Sequence, residues 1–359
     1  MAKFYSVQVG EVTKETPDSV SFTIVPKPED AAAFAFEAGQ YLTFRLHLDG
    51  QEIRRSYSIC SSPLEGEIRV GVKKVDGGLF STWANRVLQP GMTVEAMPPM
   101  GHFTTSIVSG SNKHYAAVAA GSGITPILSI IKTVLAADPT AQFSLFYGNR
   151  STPFIMFREV LENLKNTYTG RFALYHILSR ESIDLPLFNG RITSERCQSW
   201  FSTLLPVDWV DEWFLCGPME MTQSVQAVLE EKGVAKQAIH VELFTAPGQP
   251  TTTKASMAAQ KEFEGAKSLV HVKLDGLTTA FELETDGLNI LDAALDAGAD
   301  VPYACKGAVC CTCKARVTEG KVAMEMNYAL TQDEVEAGFV LTCQAHPLTA
   351  SVVVDFDQA

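Results

Sequence analysis

From Phe4 to about residue 105 the apolar positions come in short β-rich runs. These are Phe4 to Val12, Ser19 to Val25, Gln40 to Leu48, Arg54 to Ile59 and Ile68 to Lys73. Turn-forming residues break them at Pro26-Lys27-Pro28-Glu29-Asp30, Asp49-Gly50 and Asp76-Gly77-Gly78. Strands at this spacing predict a small antiparallel barrel over residues 1–105, with one helix from Ser81 to about Val87. From residue 106 to 246 the pattern changes to strands alternating with helices. His114 to Ala120, Phe143 to Tyr147, Phe172 to Leu178, Trp213 to Leu215 and Ile239 to Phe244 read as strands. Ile124 to Leu135, Phe157 to Leu164 and Met219 to Glu231 read as helices between them. That alternation predicts a doubly wound parallel sheet of the α/β class, with its ligand at the carboxyl ends of the strands. Residues 247–266 hold Pro247-Gly248, Pro250 and Thr251-Thr252-Thr253 with little apolar periodicity, and predict an exposed linker. In residues 267–359, strands at Leu269 to Leu274, Thr279 to Leu283 and Ser351 to Val354 accompany a helix from Asn289 to Gly298.

Length and charge narrow this picture. At 359 residues the chain is long enough for two or three domains with separate cores. The formal charge of −12 argues against nucleic acid as a partner. From Lys267 onward 14 Asp and Glu face 6 Lys and Arg, a local charge of −8, which suits docking on a basic surface or simply a well-solvated face. No apolar run is long enough to span a bilayer, and no signal-peptide pattern precedes Phe4, so a cytoplasmic protein is expected.

The cysteines carry the most specific chemistry. Cys305, Cys310 and Cys313 stand in C-x4-C-x2-C spacing, answered by the distant Cys343. This is the plant-type ligand spacing for a 2Fe–2S cluster, in which each iron takes two thiolates. A zinc site would pair two short knuckles or add histidines; here the second half is a single cysteine. Cys311 fits no ligand position, and with Cys60, Cys197 and Cys216 it lies too scattered for a disulfide framework, as in a reducing compartment.

Two further motifs concern nucleotides. Gly121-Ser122-Gly123-Ile124-Thr125-Pro126 joins a strand to a helix and lacks the third glycine of the dinucleotide fingerprint. Its glycines let backbone approach a ligand, and Pro126 suits a first helical turn. Tyr147-Gly148-Asn149-Arg150 and Leu178-Ser179-Arg180-Glu181 each set an arginine at a strand's carboxyl end. A 2′-phosphate needs such cations, whereas NAD sites present an acidic residue to the ribose, so NADPH is expected rather than NADH.

Arg55-Ser56-Tyr57-Ser58, then Val70-Gly71-Val72-Lys73-Lys74, then Gly77-Gly78-Leu79-Phe80-Ser81 form an ordered set. With Gly121 to Pro126 and Cys216-Gly217-Pro218, it resembles the ferredoxin–NADP reductase family, fused here to a C-terminal plant-type ferredoxin. The resemblance implies a six-stranded FAD barrel, an NADP domain and a β-grasp ferredoxin domain. It assigns Arg55 to the FAD diphosphate, Tyr57 to the isoalloxazine and ribityl, and Ser58 to the ring near N5. Ser56, Val72, Lys73 and Phe80 would complete the flavin site. Gly78 to Ser81 would hold phosphate at a helix N-terminus, a favourable place for an anion. Gly121, Gly123, Thr125 and Pro126 would pass beneath the pyrophosphate and nicotinamide. Cys216, Gly217 and Pro218 would face the nicotinamide, and Arg150, Ser179 and Arg180 would take the 2′-phosphate. Phe244 would pack near the flavin or in the core. Within the fused reductases the likeness is nearest to reductase components of phenylacetyl-CoA epoxidase systems, on Gly39 to Thr43, Arg54 to Cys60, Val70 to Lys74, Met324 to Leu330 and Gly338 to Ala345. It implies electron flow from NADPH through FAD and the cluster to a multisubunit di-iron oxygenase, with no membrane partner. A different oxygenase or a hybrid-cluster protein as client, or a redox sensor, are the other readings. No side chain is expected to act as a catalytic acid or base.

Overall fold

The structure is a computed structural model and describes residues 3–244 and 267–358. The expected linker at 247–266 lies outside the described residues. The chain divides into two compact units, one carrying the barrel and the parallel sheet, the other the C-terminal cysteine domain.

The barrel strands are β1 (Tyr5–Thr16), β2 (Ser19–Val25), β3 (Tyr41–Leu48), β4 (Gln51–Ser58), β5 (Ile68–Lys73) and β6 (Thr93–Ala96), with helix α1 (Leu79–Arg86) between β5 and β6. They form an antiparallel sheet in the order β4-β3-β6-β1-β2-β5. A bridge between Ile59 and Val70 brings the end strands together and closes the barrel, which removes the exposed edges an open sheet would leave. Inward residues such as Val20, Phe22, Ile24, Val70 and Val72 fill it with Phe44 and Phe80. The sixth strand, β6, is not among the five runs legible in the sequence, because four residues give alternation little to register.

The parallel sheet comprises β7 (His114–Ala120), β8 (Gln142–Asn149), β9 (Phe172–Leu178), β10 (Glu212–Gly217) and β11 (Ile239–Leu243) in the order β11-β10-β7-β8-β9. Helices α2 (Ile124–Ala137), α3 (Arg158–Thr167), α4 (Ser194–Thr203) and α5 (Met219–Glu231) cover it. Separate apolar clusters lie on its two faces, one built with α2 and α3, the other with α4 and α5, as a doubly wound sheet requires. Helix α2 is buried nearly all round. Its Ser129 hydroxyl donates to the Ser61 carbonyl at 2.6 Å, and Thr133 and Ser62 share a 2.8 Å hydroxyl bond, so its far side packs against the barrel. Its apolar girth therefore reports burial between two layers.

The C-terminal unit has β12 (Lys267–Leu274), β13 (Leu277–Glu284), β14 (Lys314–Glu319), β15 (Val322–Met324), β16 (Phe339–Leu341), β17 (Ala345–Pro347) and β18 (Ser351–Asp355). Its helices are α6 (Ile290–Asp296) and α7 (Gln332–Glu336). The mixed sheet runs β13-β12-β18-β14-β16, with β15 and β17 paired separately. Asn289 caps α6 by accepting from the Asp292 N–H at 2.9 Å, and Gly298 takes a left-handed φ of 86° just beyond the helix. Thr331 and Glu334 close a capping box on α7. No helix among the described residues is long and apolar enough to cross a membrane.

Candidate functional site

In the first unit the nucleotide motifs meet at the carboxyl edge of the parallel sheet, beside the end of β4. The turn after β7 is tight against β10: a Cβ on Gly123 would lie 2.1 Å from the Cys216 carbonyl oxygen, backbone against backbone. Gly71 on β5 makes a similar approach, with a Cβ there reaching 2.7 Å from Thr125 Cγ2. Gly123 is thus required by the approach of the nucleotide turn to β10, and Gly71 by the approach of the barrel to the start of α2. Gly121 takes a φ of 55°, and its carbonyl accepts from the Tyr147 hydroxyl at 2.8 Å. A Cβ on Gly121 would meet only the Lys73 ammonium, at 3.6 Å. Burial lowers the Lys73 pKa. A half-buried ammonium over an open glycine turn fits a phosphate-bearing ligand.

Ser58 ends β4 and donates to Glu242 at 3.1 Å; Cys216 on β10 lies 4.0 Å from the same carboxyl oxygen. Burial pushes the Glu242 carboxyl up to about 8, against the pull of the Ser58 bond, although the residue as a whole keeps partial exposure. It also pushes the Cys216 thiol well above its ordinary value. Glu242 is not among the site residues expected from sequence. A signal for it exists there: an acid inside the apolar run Ile239 to Phe244, on a strand of a covered parallel sheet.

The other residues expected from sequence lie on the following elements. Tyr57 is half-buried with its ring 5.1 Å from Phe80. Phe80 itself is only 2 % exposed and belongs to the barrel core, as does Val72. Arg55 and Ser56 precede Tyr57 on β4, and Arg55 Nη1 donates to the Arg54 carbonyl at 2.7 Å. Gly78 is the N-cap of α1, and the Ser81 hydroxyl accepts from the Val75 N–H at 3.1 Å, closing that loop. Thr125 and Pro126 are buried in the first turn of α2. Gly217 is buried, Pro218 is exposed at the start of α5, and Phe244 is 37 % exposed. Ser179 and Arg180 are exposed, and the Arg180 N–H donates to the Arg150 carbonyl at 2.7 Å, which brings the two arginines together. The Arg150 guanidinium is already engaged, 2.5 Å from Asp18 of the β1–β2 turn and stacked over Phe154 at 4.1 Å.

In the second unit the cysteines sit in the loop between α6 and β14 and in the turn after β16. Three non-glycine residues of that loop, Lys306, Ala308 and Cys311, adopt left-handed φ values of 50°, 63° and 51°. The resulting curl turns backbone donors inward: the Gly307 N–H lies 3.3 Å from Cys305 Sγ, and the Ala308 N–H points at Cys343. The sulfurs come as two pairs. The neighbouring Cys310 thiol holds Cys305 below the ordinary thiol value, and the Cys313 thiol does the same for Cys343. Among the described residues no three Cys, His, Asp or Glu side chains converge on one metal ion. Two thiol pairs ringed by N–H donors fit a two-iron centre, which takes two thiolates per iron. Cys310, Cys313 and Cys343 are buried and Cys305 partly exposed. Cys311 turns away, donating to the Ala329 carbonyl at 3.2 Å. All eight cysteines are free.

Three family models match in the same order. They are an FAD-binding domain of oxidoreductases over residues 6–105, an NAD-binding domain over 117–227 and a 2Fe-2S iron-sulfur cluster binding domain over 272–348. A subunit of the 1,2-phenylacetyl-CoA epoxidase from Escherichia coli K12 is 47% identical over 358 residues, covering 99% of each chain. The ferredoxin reductase component of 3-ketosteroid-9-alpha-monooxygenase from Rhodococcus rhodochrous is 32% identical, over 97% of this chain and 95% of its own. Among solved structures, phthalate dioxygenase reductase has the same fold, with a TM-score of 0.59 at 23% identity and 98% of each chain covered. This chain belongs to the family of oxygenase reductase components that carry electrons from a pyridine nucleotide through FAD to a 2Fe–2S cluster within one polypeptide.

Proposed function

We propose that the chain draws its electrons from NADPH and delivers them to a multisubunit di-iron oxygenase of the phenylacetyl-CoA epoxidase kind, in the cytoplasm. The observation that carries the choice of client is likeness along the whole chain, 47% over 99% of both sequences, to a component of such a system. NADPH is favoured by the exposed Ser179-Arg180 pair next to Arg150 at the carboxyl ends of β9 and β8, where an NAD site would present an acid.

In this reading residues 1–105 hold FAD, 106–246 hold the nucleotide and 267–359 hold the cluster, with 247–266 linking them. Arg55, Ser56, Tyr57 and Ser58 bind and orient the flavin from β4, while Lys73 and the start of α1 at Gly78 to Ser81 neutralise phosphate. Gly121, Gly123, Thr125, Pro126 and Cys216 to Pro218 shape the nicotinamide side. Cys305 with Cys310, and Cys313 with Cys343, each take one iron. When bound, the flavin accepts two electrons from the nicotinamide and releases them singly, and the cluster carries one at a time. The protein's share is orientation and exclusion of water. Glu242, protonated at neutral pH, accepts from Ser58 and keeps a hydrogen available to a ligand atom beside Cys216.

Reconstitution with purified oxygenases tests the client. Coupled turnover of phenylacetyl-CoA by the di-iron epoxidase, at a rate far above that with a ketosteroid monooxygenase, is expected; equal support of both would refute the assignment. Serine variants test the ligands: C305S, C310S, C313S and C343S each lose the cluster, whereas C311S retains it.

A further inference from the structure

Gln344 follows the fourth cysteine, and its side chain is only 5 % exposed. Its amide nitrogen lies 3.6 Å from Cys343 Sγ and 3.4 Å from the carbonyl oxygen of Lys306, the residue after the first cysteine. Its amide oxygen is buried with no hydrogen-bond partner among the described residues. Buried amide oxygens seldom go unpaired, so the orientation has a cause. Both neighbours of the amide are acceptors, and the reverse orientation would set oxygen against both. The base of the side chain is fixed as well. The Gln344 carbonyl accepts from the Glu325 N–H at 2.9 Å, and Thr342, two residues before it, bonds the Cys313 carbonyl through its N–H at 3.2 Å and its hydroxyl at 3.0 Å.

We propose that Gln344 is a positioning residue that tunes the cluster: its amide donates to the Cys343 sulfur, ties that sulfur to the Lys306 carbonyl, and raises the reduction potential. The electrostatics have one sign. Reduction adds negative charge to the iron and its sulfurs, and a donor aimed at a ligand sulfur favours the more negative state. Within the C-x4-C-x2-C segment, Thr312 bonds the Cys310 carbonyl at 3.4 Å and also the Cys310 thiol. Gln344 reaches a cysteine sulfur from outside that segment. The inference rests on the reading of Cys305, Cys310, Cys313 and Cys343 as cluster ligands.

The test uses the full-length flavoprotein and its Gln344→Met variant, which keeps side-chain length and removes the donor. Iron and acid-labile sulfide are counted first, and an EPR-monitored redox titration follows. Wild type without iron or sulfide would overturn the ligand assignment and this inference with it. With the cluster present in both proteins, the variant is expected to show an unchanged flavin potential and a more negative cluster potential. A shift of roughly tenfold in the reduction equilibrium corresponds to 59 mV for one electron. A fully loaded variant with unchanged cluster potential would overturn the proposal, since a purely structural glutamine leaves the potential alone. Should the variant assemble no cluster, wild-type protein carrying 15N in its glutamine side-chain amides decides the matter. Pulsed EPR of its reduced cluster should show a 15N coupling, and absence of that coupling would overturn the proposal.

Discussion

A carboxyl that stays protonated near neutrality has a measurable consequence. Glu242 ordinarily titrates near 4.5 and is pushed to about 8 by burial. Between those values the folded chain retains a proton that the unfolded chain has released, so this residue makes stability fall as pH rises through the window. E242Q removes that slope. The difference in melting temperature between E242Q and wild type should therefore grow in favour of the variant from about pH 5 to about pH 8; a constant difference would contradict the assignment. A second residue, Ala308, holds a left-handed φ of 63° while 1 % exposed. A308V adds a branched side chain where neither conformation nor space admits it, at about 2–4 kcal/mol to the cluster domain. Its iron content after purification should collapse. At this scale the four cysteines proposed as ligands could be singled out from sequence because their spacing is local. Glu242 and Gln344 could not: their roles depend on what tertiary packing closes around them, and each reads locally as an ordinary polar residue in a short strand or turn.

Among the elements, the turn from β7 into α2 is tightly constrained. G123A would drive a methyl to within 2.1 Å of the Cys216 carbonyl oxygen, and neither backbone can yield cheaply. The turn and the end of β10 must separate, at about 1–3 kcal/mol. In stopped-flow mixing with NADPH, G123A should bleach its flavin at least tenfold more slowly, while dithionite still reduces its cluster. Normal flavin bleaching would show that the close approach is dispensable. Elements with strong local signals were readable: β7, β9 and α5 fall on the expected residues, and the helix from Asn289 forms with its cap. Helix α4 was not, since SERCQSWFST is largely polar and offers only Cys197, Trp200 and Phe201 to the core. The barrel closes through a bridge between Ile59 and Val70, whose strands are consecutive in the chain yet stand at opposite ends of the sheet order, so local alternation does not reveal it.

At the scale of the whole molecule, domain order was legible because each segment carries its own motif, and the family models fall in that order. The choice of nucleotide is less so. Arg150 is expected on sequence to greet a 2′-phosphate, yet its guanidinium is paired with Asp18 from the barrel, an arrangement only the folded unit reveals. Arg180 is then the exposed cation. R180Q should raise the KM for NADPH about tenfold and leave that for NADH unchanged, the loss of one charge-assisted contact; equal effects on both would place the 2′-phosphate elsewhere.

The electron path itself is tested most directly by anaerobic titration of the purified protein with NADPH, followed by visible absorbance and low-temperature EPR. Bleaching of the flavin is expected together with a rhombic S = ½ signal from a reduced 2Fe–2S cluster. Bleaching without that signal, in protein that contains iron and sulfide, would contradict the path.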